Sequence, residues 1–500
     1  MTVERKNLLT AVVVVTIVYV GTIWQRPMFS PCEYDFALKQ MTSATDFAAL
    51  LSGLFGKALG FNIVSFRLAA ALSGVITALI VRAVTIRESD ENTGNLAALV
   101  YLSTFLTYAV SSSCTETAVR TLFFTCFAAS LYALFEYAKT AKSAFLFAVS
   151  TGCAAGFFSI ASTGYTAFYI PLATACGYAV AKREKSKLPL LGASVFFAAA
   201  IIFIWQKKSG MSSMPVPADF GWSDLLSFAG LLPWVLFVPQ AVLGNDRSFL
   251  KKNISVMTFF VISSLALSVP VLGTFEALSL ALPFLAVIFT LAMKNAAEDE
   301  KLIRLSENTL RAFSLLLLVL AAAVVVINIG NSWQIFKNFT FKRFIHLPKA
   351  ELAGFAVAIS VALIQFKISC DEKVTQPGKK LIYVAAGAAV LMILLPGAMF
   401  SGVKLACVPD EFFARTLKMY TSNDTAVYAD QNCISTVRWI LKDRKVDLIT
   451  KERLPELAKQ VQNRNAAVVS TNYEFTKALP KSKMLFVRDK WRIVIFNGRN

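Results

Sequence analysis

Glu33, Asp35, Lys39 and Asp46 follow closely on the first apolar run of the chain, within the stretch Gln25–Phe47. Farther on, Glu116 stands four residues before Arg120, and Arg67 opens a long apolar stretch. A carboxylate in such a place can take a proton from an attacking oxygen or orient it. A guanidinium fork matches the oxygens of a phosphate, and Lys57, Lys207 and Lys208 offer further cations. In a helix Glu33 and Asp35 point about 200° apart and cannot both face one acceptor. Asp35 then pairs with Lys39 at i,i+4, which leaves Glu33 as the stronger candidate of the two. The candidate catalytic acids are therefore Glu33, Glu116 and Asp35; the candidate phosphate contacts are Arg67, Lys57, Lys207 and Lys208. Each has a structural alternative: interfacial solvation of Glu33, an exposed Asp35–Lys39 pair, a Glu116–Arg120 ion pair, and snorkelling of Arg67 to head groups. No ligand spacing resembles a zinc site, so no cofactor is expected, with a divalent metal left open.

The elements that must hold these groups are membrane spans. Of 500 residues, 56% are hydrophobic and 16% charged, which is the composition of a polytopic membrane protein. Apolar runs long enough to cross a bilayer give about thirteen spans, among them 66–84, 95–111, 119–137 and 276–293. Alternate loops carry the cations Arg5 and Lys6, Arg82 and Arg87, Lys139 and Lys142, and Lys294, Lys301 and Arg304. The positive-inside rule makes those loops cytoplasmic and puts Gln25–Phe61, the 206–226 loop and the C-terminal tail outside. Much of the net charge of +19 is this topology signal, and the remainder faces lipid head groups or lipid-linked phosphates rather than nucleic acid. Trp24-Gln25-Arg26-Pro27 after the first span offers no small-residue cleavage site, so that span is expected to be retained.

Beyond about residue 400 the pattern changes. "DTAVYADQN" and "AAVVSTNY" read as short strands. "CISTVRWILKDR" reads as a helix with Ile434, Val437, Ile440 and Leu441 on one face, and "PDEFFARTLKMY" as another helix. "KMLFVRDKWRIVIFNG" reads as two strands around a turn at Arg488-Asp489-Lys490. The expected organisation is an all-α transmembrane domain over 1–400 and a small periplasmic α/β domain over 401–500. Of the eight cysteines, Cys407 and Cys433 fall in this tail, and a bridge between them is one pairing the sequence allows.

Several stretches resemble a known family. "LGFNIVSFRLAAALSGVITALIV", with Arg67, is similar to the second-span start of the large-loop membrane glycosyltransferases of the GT-C fold. "YAVSSSCTETAVRTLFF" resembles their second acidic loop, with Glu116 where an Asp-Pro stands in the family. "FAGLLPWVLFVPQAV", "SVPVLGTFEALSLALPFLAVI" and the tail resemble the lipid A aminoarabinose transferases, relatives of protein O-mannosyltransferases. The departures gather in the first outer loop: Cys32 occupies the place of the catalytic Asp, Glu33 that of the Glu, and Ala44-Thr45 replace a Lys-Pro pair.

The resemblance implies a transferase moving a sugar such as aminoarabinose from a polyprenyl-phosphate donor to lipid A or a similar outer-leaflet acceptor. It implies a multi-pass protein of the bacterial inner membrane, with its N-terminus cytoplasmic. The alternative is a catalytically degenerate relative that binds a lipid-linked sugar or a partner protein. A transporter is disfavoured, because the spans show no inverted repeat with paired broken helices.

Overall fold

The computed structural model describes residues 47–136, 149–153, 230–231, 234–237, 274–296 and most of 411–496, with single positions elsewhere that include Gln40. Its elements are α1 (Phe47–Leu59), α2 (Ile63–Glu88), α3 (Glu91–Leu102), α4 (Phe105–Ser111), α5 (Thr117–Glu136) and α6 (Thr274–Ala296). The tail contributes α7 (Glu411–Tyr420), β1 (Ala426–Asp430), α8 (Ile434–Ile440), β2 (Val446–Ile449) and α9 (Leu454–Asn463). It continues with β3 (Ala466–Ser470), α10 (Tyr473–Lys477), β4 (Met484–Arg488) and β5 (Trp491–Phe496).

Among the described residues two helices are long and apolar enough to cross a membrane, Val64–Glu88 and Thr274–Lys294, and the α3–α4 pair makes up to three. The start of α2 is set by a capping box. Asn62 Oδ1 accepts from the Ser65 N–H at 2.9 Å, and Ser65 Oγ accepts from the Asn62 N–H at 3.0 Å. Gly60, at φ 79°, stops α1 just before it. The run 95–111 expected as one span is instead bent by 65° between α3 and α4. Ser103 and Thr104 turn their hydroxyls back onto the Val100 carbonyl, and the segment beside them closes the break. The Leu106 N–H finds the Gly230 carbonyl at 2.7 Å, and the Trp234 indole N–H donates to Ser103 Oγ at 3.0 Å.

Helices α2, α5 and α6 run in the same direction. At one end Arg120 of α5 meets Glu276 in the first turn of α6. At the other, Lys294 in the last turn of α6 reaches Asp90, the N-cap of α3, at 2.5 Å. Arg82 lies at that same end, bound to Asn95 Oδ1 at 2.6 Å and Glu91 at 3.1 Å. The bundle therefore carries paired charge at both ends, with Arg82, Arg87, Asp90, Glu91 and Lys294 at one and Arg67, Glu116, Arg120 and Glu276 at the other. Between them lies an apolar core in which Phe124 meets Phe284 edge to face at 6.0 Å and Trp234 meets Phe289 at 5.5 Å.

The tail folds as a five-stranded sheet in the order β2-β1-β3-β5-β4. The first three strands in that order are parallel, and β5 and β4 are antiparallel. Alternate side chains feed two layers. Val427, Ala429, Val469 and Ile493 meet Leu417, Ile434, Val437 and Leu441 on one face. Val468, Val494 and Phe496 meet Leu457 and Val461 on the other. Helices cover both faces, as parallel strands require. The antiparallel pair β4–β5 and the helix over Ile434–Ile440 match the sequence reading, and β2, α9 and α10 were not anticipated. Cys433 is a buried free thiol, so the bridge to Cys407 is not made.

Candidate functional site

At the end of the bundle that carries Arg67, three stretches distant in sequence meet through one amide. The Gln40 side chain donates from Nε2 to the Phe66 carbonyl at 3.3 Å and to Cys114 Sγ at 3.4 Å. Phe66 precedes Arg67, and Cys114 lies two residues before Glu116. A carbonyl cannot donate, so the Phe66 oxygen fixes which way the amide is turned. Gln40 Oε1 therefore faces away from that carbonyl, and it is buried without a hydrogen-bond partner among the described residues. Around this junction Phe36, Ala37, Ala48, Ala49, Phe66 and Val119 form one apolar cluster. Gly53 lets α1 approach: a Cβ there would stand 2.8 Å from the Gln40 carbonyl oxygen.

Arg67 is fully buried, so its guanidinium does not snorkel out to head groups. Glu116 caps α5, its carbonyl accepting from the Arg120 N–H at 2.9 Å. Its carboxylate bonds the Arg120 guanidinium one turn in, so the ion pair that the sequence left as an alternative is made. Arg120 also bonds Glu276. The guanidinium side chain is 2% exposed while the two carboxylates are 18% and 27% exposed. The cation thus sits inside and the acids reach toward the surface. Sequence reasoning passed over Glu276. The available signal was an acid in the first turn of an otherwise apolar span, costly in a membrane unless paired. Lys57 is exposed in the last turn of α1, where the helix dipole favours it. Glu33, Asp35, Lys207 and Lys208 lie outside the described residues. Among the described residues no group of His, Cys, Asp and Glu is arranged to hold a metal.

The tail touches this junction too. Trp439 of α8 packs on Phe66 and joins the same apolar cluster. A second candidate ligand place, in the tail, is the crevice between β1 and β3, where the chain reverses its direction of winding. Asp430 fills it. Its Oδ2 accepts from Ser470 Oγ at 2.7 Å, the Thr471 N–H at 2.7 Å and Thr471 Oγ1 at 3.1 Å. Its Oδ1 accepts from the Cys433 N–H at 3.0 Å and from Sγ at 2.9 Å. Burial works to raise the Asp430 carboxyl, but these donors hold it below the ordinary range; burial and the adjacent carboxylate push the Cys433 thiol up. The network gives both Asp430 oxygens donors from the fold itself and reads as structural.

Residues 47–205 match the family model for dolichyl-phosphate-mannose-protein mannosyltransferase. No curated protein sequence matches the chain. The crystal structure of ArnT from Cupriavidus metallidurans in the apo state superposes with a TM-score of 0.73 at 13% identity, covering 97% of each chain. ArnT from the same organism bound to undecaprenyl phosphate gives 0.70 at 12% identity, covering 98% of this chain and 97% of that one. Identity this low speaks for the fold, and that fold agrees with the family match and with the motifs read from the sequence. The chain has the GT-C glycosyltransferase fold, similar to ArnT, with a segment similar to the protein mannosyltransferases.

Proposed function

We propose that the chain is an integral-membrane glycosyltransferase that moves a sugar from a polyprenyl-phosphate donor to a hydroxyl of lipid A or a similar outer-leaflet glycolipid. It works in a bacterial inner membrane, with the N-terminus cytoplasmic and the 401–500 domain periplasmic above the transmembrane domain 1–400. The observation that carries this reading is the junction at Gln40, where the first outer stretch, the start of α2 beside Arg67, and the turn before Glu116 come together. The ArnT neighbour bound to undecaprenyl phosphate supports the class of donor.

In this reading the acceptor oxygen attacks the anomeric carbon as the bond from that carbon to the phosphate oxygen breaks. The hydroxyl proton passes to a carboxylate, Glu33 or Glu116, and the electron pair leaves on polyprenyl phosphate. Arg67, helped by Lys57, Lys207 or Lys208, offsets the charge that grows on that leaving group. Asp35 is the reserve acid. No metal or cofactor is required by this scheme.

The test is turnover. Purified protein in lipid nanodiscs is given undecaprenyl-phosphate aminoarabinose and lipid A, and the product is read by mass spectrometry. Transfer that is lost in Glu33→Gln or Glu116→Gln supports the enzyme. One observation favours the second reading, a binding protein of the same fold: the Glu116 carboxylate is already engaged by Arg120. Binding of undecaprenyl phosphate without transfer would establish that alternative.

A further inference from the structure

The end of the bundle around Arg67 holds acceptor atoms that lack donors. Gln40 Oε1 is buried without a partner among the described residues, on an amide whose orientation is fixed. Glu276 spends Oε2 on Arg120, and its Oε1 takes no hydrogen bond from a described residue. One of these atoms belongs to the side chain bound to Cys114, and the other to the side chain that shares Arg120 with Glu116. Both side chains are thus tied to the turn that holds Cys114 and Glu116, one directly and one through Arg120. A buried acceptor is costly unless something donates to it, whereas Glu276, at 27% exposed, leaves its Oε1 open to an incoming donor. A ligand that suits such a lining is rich in hydroxyl groups.

We propose that Glu276 is a substrate-binding residue whose Oε1 accepts a hydrogen bond from a hydroxyl of the incoming glycolipid, and that Arg120 is the positioning residue that holds it there. The assignment rests on the transferase reading above for its place in a reaction, but binding alone can test it. Arg120 suits this task because a guanidinium offers five donors in a rigid fork and can serve two carboxylates at once. The pair with Glu116 is local to α5, whereas the pair with Glu276 ties α6 to α5. Without Arg120 the Glu276 carboxylate has nothing to set its direction. Two carboxylates on one guanidinium also leave one negative charge in excess, which strengthens acceptance from a neutral hydroxyl.

The experiment measures binding of two probes to the full chain in nanodiscs, lipid A and undecaprenyl phosphate, by native mass spectrometry. Glu276→Gln should weaken lipid A binding about 10-fold to 100-fold, the range for loss of a hydrogen bond to a charged group. Undecaprenyl phosphate binding should stay within about 2-fold, since Arg67 and not Glu276 is the phosphate contact. Glu276→Asp should recover part of the loss. Arg120→Lys should reproduce the pattern of Glu276→Gln, because a point charge does not orient two carboxylates. A structural defect would weaken both probes together and lower the melting temperature. Wild-type affinity for lipid A in Glu276→Gln overturns the assignment, and so does a wild-type protein that binds no lipid A. Binding of both probes without turnover sinks the transferase reading alone.

Discussion

The indole of Trp439 meets the ring of Phe66 edge on, with centroids 5.2 Å apart and planes at 69°. One belongs to the last turn of a helix in the C-terminal sheet unit, the other to the opening turn of a membrane-length helix. Val437 and Leu441 are buried in the tail's own core, whereas Trp439 is spent on the contact with the bundle. Trp439→Ala should cost about 2–4 kcal/mol, combining the lost burial with the aromatic pair. The sheet should remain folded. Thermal melting of the full chain, followed beside protease release of the tail, checks this. Unchanged melting and unchanged protection would show that the contact holds nothing.

Gly53 sits where any side chain would strike backbone. Gly53→Ala places a carbon against the Gln40 carbonyl oxygen at 2.8 Å, and backbone cannot swing aside as a side chain can. The substitution should destabilise by about 1–3 kcal/mol. Gly60→Ala, by contrast, meets open space but must adopt φ 79°, at a cost of about 1 kcal/mol. Comparing the two melting temperatures separates crowding from backbone strain.

Arg67→Ala should weaken undecaprenyl phosphate about 10-fold to 100-fold, with Arg67→Lys between the two. Because Arg67 is fully buried, its removal also leaves a hole, so the melting temperature is measured beside the affinity. Unaltered affinity in Arg67→Ala removes this residue from the donor site.

Asp90 supplies a dependence on pH. Burial would raise its carboxyl, but the Lys294 ammonium and the Thr93 N–H and hydroxyl hold it down at about 2. A depressed carboxylate stabilises the folded state above its ordinary value of 3.8, and that contribution is lost as the pH falls toward about 2. Since Asp90 and Lys294 are both nearly half exposed, the ion pair itself is screened and modest. Asp90→Asn should keep the helix cap and lower stability by less than about 1 kcal/mol, while Asp90→Ala loses the cap as well and costs about 1–2 kcal/mol. Acid titration of the melting temperature should show a shallower fall in Asp90→Asn than in wild type.

Asp430→Asn should be more damaging. An amide keeps one acceptor oxygen and turns its NH2 either toward Cys433 or toward Ser470 and Thr471, leaving buried donors facing donors on one side. The cost is about 3 kcal/mol. The wild-type contribution disappears as the pH falls through the depressed Asp430 value, so acid should loosen the sheet. Far-ultraviolet circular dichroism against pH, with Asp430→Asn as the control, measures it.

What the sequence disclosed, it disclosed through periodicity. The strand at Ala426–Asp430, the hairpin over Met484–Phe496 and the helix with Ile434, Val437 and Leu441 are all legible from alternation or from spacing of three and four. The strand Val446–Ile449 is not, because it lies at the sheet edge and exposes both Asp447 and Leu448, which erases the alternation. Helix Leu454–Asn463 did carry its signal in Leu454, Leu457 and Val461, and the bend after Leu102 was announced by the adjacent hydroxyls of Ser103 and Thr104. At the site, Glu116 and Arg67 were legible because charge in an apolar chain needs a reason. Gln40 was not: an uncharged amide in a polar loop stands out from nothing until its partners are seen. Glu33 and Asp35, the acids that the sequence favoured beside Glu116, lie outside the described residues.

The Gln40 amide also fixes an order of events. Its thiol partner is 74 residues downstream, so during synthesis Gln40 leaves the ribosome long before Cys114 exists. Helices α2, α3 and α4 must all be delivered to the translocon before that bond can close. The Gln40 amide is therefore secured by a segment made later, and a nascent chain halted before residue 114 cannot make this bond.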